Sequence, residues 1–432
     1  MTPRVRVVVL DHDGGRLTLE CLDQLRKTDW PPDALDLVLV DNGSTRSVAA
    51  EVRRDRPDVR VIESATNLGF AGGCNLGLRD RAGVDYLALV NNDVTVEPGW
   101  LAPLVDALGS DADLGAACPK ILFQYRFLDV TVASETHRRG RGDRRDLGVR
   151  VSGVRVDGQE LWERAQPWRG FWGPEHGDEQ ETDYQWTDGD GRLRVPLPDP
   201  DRPPADCEVR LAADRTTLVT LRSGTAAREH LVGPEPGWYR APLEGAPYDV
   251  INNVGSELVA DGYGADRGYL EPDAGQYDRP ADVFAWCGAA VVLPRRYLDA
   301  VGLLDERLFL YYEDFELALR GAERGWRYRY VPDAVVRHLH SATSVEGSPL
   351  AQHYNERNRL AVLTRHAAWG LLARAIVRYL LVTASYARRD LVSPLLHRAP
   401  TRPRVVRQRL RSFAAFLRLA PAMLTSRRRS SR

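Results

Sequence analysis

Cysteine is sparse in this sequence, and its placement excludes more than it suggests. Cys21, Cys74, Cys118, Cys207 and Cys287 show no CxxC pair and no histidine at finger-like spacing, so neither a zinc finger nor a disulfide framework is expected. Isolated reduced thiols in a cytoplasmic protein are the expectation. No signal-peptide pattern opens the chain: the strand-like VRVVVL runs straight into Asp11, His12 and Asp13. Arg374 and Arg378 interrupt the longest apolar stretch and keep it below the roughly 20 residues of a spanning helix. A GxGxxG fingerprint is missing, which argues against dinucleotide binding. The first strand is followed only by Gly14-Gly15-Arg16, without the lysine that a nucleotidyltransferase loop would carry.

What is there is ordinary in bulk and uneven in charge. The 432 residues are 43% hydrophobic, enough for two or three domains with a sizeable core. The net charge of -1 conceals fifteen Arg against a single acid, Asp390, in residues 370–432, so a basic tail follows an acidic body.

Four short apolar, β-branched runs, Val5 to Leu10, Leu35 to Val40, Val59 to Ile62 and Tyr86 to Val90, alternate with helical segments at Leu17 to Arg26 and Ser47 to Arg54. Alternation of this kind predicts an α/β domain with a Rossmann-like, mostly parallel sheet covered on both faces. Ligands in such sheets bind beyond the carboxyl ends of the strands. Attention therefore falls on Asp11 to Asp13, on Asp41 and Asn42, on Asn67, and on Asn91, Asn92 and Asp93. After Phe123 the pattern changes to short alternating stretches rich in Pro, Gly and Trp, which predicts an inserted β-sandwich-like domain. Helix and strand alternation resumes near Val283, with strands expected at Tyr328 to Val331 and Ala334 to Arg337. The division expected is 1–127, a β-rich insert at 128–247, a second α/β half at 248–365, and a C-terminal helical region at 366–432. That last region reads as amphipathic helices at an anionic membrane surface or as a packed bundle with a solvated Arg face. No recognition motif accompanies its charge, so no nucleic-acid partner is expected.

Several residues have the chemistry for a site. Asp41, in the turn before a helix, suits either a local cap or hydrogen bonds to a nucleoside. The segment Asn67-Leu68-Gly69-Phe70-Ala71-Gly72-Gly73-Cys74-Asn75 opens a helix whose amides and dipole suit a phosphate. Asp93, after the most apolar strand, suits a hard divalent cation, Mg²⁺ or Mn²⁺, that bridges phosphates. Glu313 and Asp314 open a helix; Asp314 reads as a helix-end cap or as a general base for a hydroxyl. His338 ends a strand as a structural imidazole or a metal or phosphate ligand. Arg357 and Asn358 offer donors of the kind that hold phosphates.

Taken in order, VDNGST (40–45), NLGFAGGCN (67–75), LVNNDV (89–94), the stretch from Trp286-Cys287-Gly288 to Arg320, the strand ending at His338, and NERNRL (355–360) form a specific string. It closely resembles the rhamnosyltransferase-like branch of the family-2 glycosyltransferases over residues 4–124 and about 250–365. The resemblance implies the GT-A fold and an inverting transfer of a sugar from a dTDP- or UDP-linked donor, rhamnose first. The implied acceptor is a glycan or lipid-linked intermediate of cell-surface polysaccharide, met on the cytoplasmic side of the membrane. It also implies donor contacts from Asp13, Asp41, Asn42, Asn67, Gly72, Asn75, Asn91, Asn92 and Asp93, and a metal at Asp93 with His338 nearby. Asp314, with Glu313 beside it, is implied as the catalytic pair, and Trp286, Cys287, Gly288, Arg357 and Asn358 as acceptor- or phosphate-side residues. The triplet here is Asn-Asn-Asp where the family usually has Asp-x-Asp. The alternative from another class is a catalytically silent glycan-binding scaffold that uses the insert.

Overall fold

The computed structural model describes residues 2–140, 143–175, 183–339, 348–398, 400–401 and 403–430; positions 399, 402, 431 and 432 of the expected tail lie outside these. The chain divides into two compact units, one of Met1–Gln124, Ile251–Tyr269 and Ala274–Arg432, the other of Tyr125–Val250 and Leu270–Asp273.

The first unit is built on a ten-stranded sheet. Strands β1 (Val5–Asp11), β2 (Leu35–Asn42), β3 (Arg60–Ser64) and β4 (Tyr86–Asn91) are parallel, ordered β4-β1-β2-β3. Beyond β4 come Ala290–Pro294, which is antiparallel to its neighbours, then β6 (Leu114–Phe123), then Arg327–His338, parallel to β6. The short β5 (Val94–Val96) pairs with the far end of that last strand, matching His338 with Val94. The sheet is thus mixed, with an antiparallel strand at its centre.

Period-two alternation decides which side chains face which helices. Val5, Val7 and Val9 of β1 and Leu37 and Leu39 of β2 are buried on one face with α1 (Arg16–Leu25), α2 (Ala49–Asp55) and α4 (Leu101–Ser110). Val8, Val38 and Val40 are buried on the other, with α3 (Gly69–Leu78), α5 (Arg295–Val301) and α6 (Glu313–Ala322). Each such burial stabilises by roughly 1.5–3 kcal/mol. Two strands were expected between Tyr328 and Arg337, but one continuous strand runs Arg327–His338. Its register against β6 shifts between Val331 and Val335, where Pro332 has no N–H for the ladder.

The expected tail is not a loose appendage. Helices α7 (Pro349–His366), α8 (Trp369–Ala387) and α10 (Arg404–Ser430) share a core with Leu308, in which Phe416 and Met423 are buried, while the short α9 (Ser393–Leu396) buries none of its residues. Arg427 on α10 donates to Ala367 O at 2.7 Å, and Arg307 donates to Ala422 O at 3.1 Å. The helical run Trp369–Leu396 has the length and composition to cross a membrane despite Arg374 and Arg378, and only 22% of its apolar window is buried.

The second unit is the β-rich insert. Its nine strands form one hydrogen-bonded sheet. The thirteen-residue strand Gln185–Leu197 links its two halves, pairing at its start with Arg150–Val156 and at its end with Arg126–Ser134. Val130, Val154, Val195, Val209 and Val219 are among its fully buried side chains.

Candidate active site

The carboxyl ends of β1, β2 and β4 carry a polar cluster whose hub is Asp11, buried at 0% exposure. Its Oδ1 accepts from Gly14 N at 3.0 Å, from the Thr18 hydroxyl at 2.5 Å and from Asn92 Nδ2 at 3.3 Å, and its Oδ2 accepts from Ser44 Oγ at 3.2 Å. Gly14 is required here, because a Cβ at that position would lie 2.1 Å from Asn92 Nδ2. Asp13 is exposed and left-handed (φ 58), and it accepts from Arg46 N at 2.7 Å, which holds its carboxyl below the usual range. Asp41 is buried and accepts from Ser44 N and from the Ser47 hydroxyl.

The helix-start amides expected to face a phosphate are largely occupied from within. Leu68 N donates to Asn42 Oδ1 (2.9 Å), Gly69 N to Asn67 Oδ1 (2.8 Å) and Ala71 N to Phe309 O (3.3 Å). Asn75, also expected on the donor side, is buried instead, with its amide bonded to Leu304 O and Glu306 Oε1 and its carbonyl accepting from Leu304 N. Gly72 has Leu68 Cβ at 2.8 Å from where its own Cβ would be, so it serves the local fold of α3.

Asp93 and His338 do meet. Sheet pairing brings His338 beside Val94, and His338 Nε2 lies 3.2 Å from Asp93 Oδ1. The other ring nitrogen, Nδ1, is 3.1 Å from Asn252 Oδ1. When Nδ1 donates there, Nε2 is the unprotonated nitrogen, and a carboxylate oxygen and an imidazole lone pair face one another. That donor set fits a divalent cation, which sits between such ligands. Among the described residues no cluster of three or more His, Cys, Asp or Glu surrounds the spot, so further ligands would come from diphosphate or water.

The Glu313–Asp314 pair is tied to the same edge. Asp314 Oδ2 accepts from Gly288 N at 2.9 Å, and Ala289 O accepts from Asn91 N at the end of β4. Asp314 Oδ1 accepts from Phe315 N at 2.7 Å. Burial pushes the Asp314 carboxyl up to about 6 against these bonds, and the Asp266 carboxylate adds to the rise. Glu313 is more deeply buried, and its Oε2 has no hydrogen-bond partner among the described residues; burial, then the charge of Asp314, pushes it well above the usual carboxylate range. The two acids therefore differ in setting: Glu313 is the more deeply buried and is pushed well up, whereas half-buried Asp314 has two backbone donors and is pushed up to about 6.

Other expected site residues are packed elsewhere. Trp286 is 0% exposed within the core of the α3 face and presents no ring for a sugar to stack on. The Cys287 thiol is pushed far up by burial. Asn358 is 0% exposed, and its amide is committed to main-chain carbonyls of the segment before α6. Arg357 donates to Arg307 O and Leu308 O in the same segment rather than projecting toward a phosphate.

Residues 7–152 match the model of Glycosyl transferase family 2, and residues 258–424 match that of Glycosyl transferase family group 2. The chain belongs to the family-2 glycosyl transferases. It is similar to an N-acetylglucosaminyl-diphospho-decaprenol L-rhamnosyltransferase from two strains of Mycobacterium tuberculosis, with 36% identity over 103 residues. That match takes in 23% of this chain and 31% of theirs, so the chain spans under a third of the length of the curated relatives it matches. Solved structures with some likeness include GalNAc-T7 with UDP, GalNAc and Mn²⁺ (13% identity, 90% of this chain and 51% of that one, TM-score 0.48). Another is the mannosyltransferase PcManGT from Pyrobaculum calidifontis with GDP-Man and Mn²⁺ (15% identity, 100% and 74%, TM-score 0.39).

In this family-2 transferase the sequence reading missed three residues that build the site. Asp11 stood among the strand-end residues but was not singled out as their hub. Asn252 carries no local motif and is visible only once His338 is placed. Asp266, which acts on Asp314, lies in a hairpin with no pattern to mark it.

Proposed function

We propose that this chain transfers a sugar from a nucleotide-diphospho-sugar to a hydroxyl acceptor with inversion at the anomeric carbon. The observation that supports it most is Asp314, half-buried, oriented by two backbone amides, and pushed up to about 6, where a general base is effective near neutral pH. Asp314 takes the proton of the acceptor hydroxyl as that oxygen attacks the anomeric carbon; the bond to the diphosphate breaks, and the nucleoside diphosphate leaves. Asp93 and His338 would hold a divalent cation, Mg²⁺ or Mn²⁺, which when bound offsets the charge on the departing diphosphate. Asp13 and Asp41, at the ends of β1 and β2, are the donor-side carboxylates, toward the base and ribose.

The donor is dTDP- or UDP-linked, with rhamnose first, and the acceptor is a lipid-linked glycan. The partial match to an N-acetylglucosaminyl-diphospho-decaprenol L-rhamnosyltransferase supports rhamnose as the sugar and a lipid-linked acceptor. We read the working site as the inner face of the membrane, where a lipid-linked acceptor would be met. Support for that comes from α8, where Val377, Leu380 and Leu381 are exposed opposite the buried Leu372, Ala375 and Tyr379, and from the concentration of Arg in the tail. Because α10 packs on α7, point substitutions on α8 test this better than truncation. Val377→Glu with Leu381→Glu is expected to release the protein from anionic vesicles, and unchanged partitioning would refute membrane docking through this face.

The deciding experiment is thermal-shift and calorimetric binding of dTDP-, UDP- and GDP-sugars, with and without Mn²⁺ or Mg²⁺, to wild type and Asp93→Ala. Metal-dependent stabilisation by one nucleotide class, lost in the variant, is expected. A folded protein that binds none of them would defeat the proposal in favour of a glycan-binding scaffold.

A further inference from the structure

Three of the four residues leading into the catalytic helix are left-handed without being glycine: Phe309 (φ 66), Tyr311 (φ 67) and Tyr312 (φ 69). Side chains on L-residues crowd the backbone in that region, and a bulky aromatic adopts it only where surrounding contacts hold it there. Those contacts are visible. Asn358, on α7 and wholly buried, aims the two hydrogens of Nδ2 at three carbonyls of the segment, 2.8 Å from Leu308 O, 2.8 Å from Leu310 O and 2.7 Å from Tyr311 O. Its own Oδ1 is fixed by Arg357 Nε at 2.7 Å, and Arg357 Nη2 adds bonds to Leu308 O (2.6 Å) and Arg307 O (3.0 Å).

The segment touches both halves of the site. At one end Tyr312 O receives Glu316 N, closing the first turn of α6 immediately around Asp314. At the other, Phe309 O accepts from Ala71 N in the first turn of α3. Gly69, itself left-handed (φ 72), is required at that contact, because its Cβ would fall 2.3 Å from Phe309 O. One strained strap therefore spans from the start of α3, on the donor side, to the catalytic carboxylate.

We infer that Asn358 is a positioning residue for the transfer reaction: by clamping the strap Phe309–Tyr312 it sets where Asp314 stands relative to the donor-side turn of α3. The inference rests on the proposed role of Asp314. It explains why an Asn and an Arg that look like phosphate ligands in the sequence are turned inward. Asn358 touches no substrate; it acts through three carbonyls.

The test compares wild type, Asp314→Asn, Asn358→Ala, Arg357→Ala, and Asn358→Ala combined with Phe309→Gly and Tyr311→Gly. Turnover is read as dTDP released from dTDP-rhamnose with a short-chain N-acetylglucosaminyl-diphospho-prenol. A substrate-free arm reads hydrogen exchange at the amides of residues 313–316. Asn358→Ala is expected to lower kcat roughly 10²-fold, the scale of a misplaced reacting group, with donor KM within about twofold. The acid limb of its pH profile should move from about 6, and exchange at 313–316 should quicken. The glycines, which tolerate positive φ, should restore part of both, and Arg357→Ala should show a smaller loss in the same direction. If Asn358→Ala does not fold, Arg357→Ala carries the test, and normal kcat with normal exchange in it overturns the clamp. Asp314→Asn inactive with Asn358→Ala normal defeats the clamp alone. Fully active Asp314→Asn defeats the base reading and the clamp with it. Unchanged exchange in Asn358→Ala, or a loss that the glycines do not relieve, also overturns the inference.

Discussion

The two units are both rich in strands, yet they treat their carboxylates in opposite ways. In the insert, Asp143 is held at about 2 by the Arg145 guanidinium, and Asp214 is held at about 2 by Arg139 and His137. Each has a cation in hydrogen-bond contact, and its charge is welcome. In the sheet unit, Glu313 and Asp314 stand side by side, desolvated and with no cation in contact among the described residues, and both are pushed up. The same neighbourhood holds the run of left-handed aromatics. Unrelieved desolvation and backbone strain persist only where surrounding structure forces them, and here they coincide within six residues. That coincidence marks a site more sharply than the presence of acids or aromatics, which the insert has in plenty.

The comparison can be broken most directly at Asp314. Asp314→Asn should reduce transfer by roughly 10²–10⁴-fold, the usual contribution of a general base, with nucleotide affinity retained in calorimetry. The same change should raise the melting temperature at pH 8, since folding lifts this group's pKa and so disfavours its charged form above about 6. A melting temperature that falls would show the carboxylate to be structural. In the insert the expected effect runs the other way. Trp186→Ala empties a fully buried site and should cost about 3–5 kcal/mol in denaturant unfolding while leaving donor binding as it was. Weakened nucleotide affinity in that variant would mean the units are not separable in function.

A finer test is pH. With Asp314 as the base, kcat should fall about tenfold for each unit below about 6 and level off above it, and Asp266→Asn should move that limb downward by removing a neighbouring negative charge. The smallest effect concerns a buried network behind α6. Glu316, despite its desolvation, is held at about 2 by His366, Arg320 and Arg365, and His366 is raised by Glu316 and Glu323 in spite of its own burial. Since the folded-state pKa of His366 is raised, its contribution is full below about 6.5 and is lost as pH climbs through the raised value. Urea midpoints should therefore decline modestly with rising pH above neutrality, and His366→Gln should flatten that decline.

Much of this was readable from the residues, for physical reasons. The strands β1, β2 and β4 were placed to within one or two residues because a twice-covered strand must be apolar on both faces, and few other segments are. The insert announced itself by a change of period. The meeting of Asp93 with His338 depends on pairing between residues far apart in sequence, and only the family resemblance anticipated it. Asn358 and Asn75 misled for the opposite reason. An amide reads as a ligand wherever it stands near glycines or arginines, and nothing local says whether it points out to solvent or inward to bare carbonyls. The bundling of α10 onto α7 was one of two readings of the basic tail, and its charge left the choice open, because long Arg side chains let a helix be basic on one side and packed on the other.

The antiparallel strand Ala290–Pro294, wedged between β4 and β6, has a consequence for biosynthesis. During translation β1 to β6 emerge first, and the slot between β4 and β6 stays vacant until the entire insert has been made. Two apolar strand edges in the middle of the future sheet are thus unprotected for the time it takes to polymerise roughly 170 residues, several seconds or more at ribosomal speed. Burial of the nascent sheet edges by a chaperone, or early closure of the insert on its own local contacts, would decide the yield of soluble protein. The weak point of this molecule during synthesis is then its unfinished centre, and not the strained segment that leads into α6.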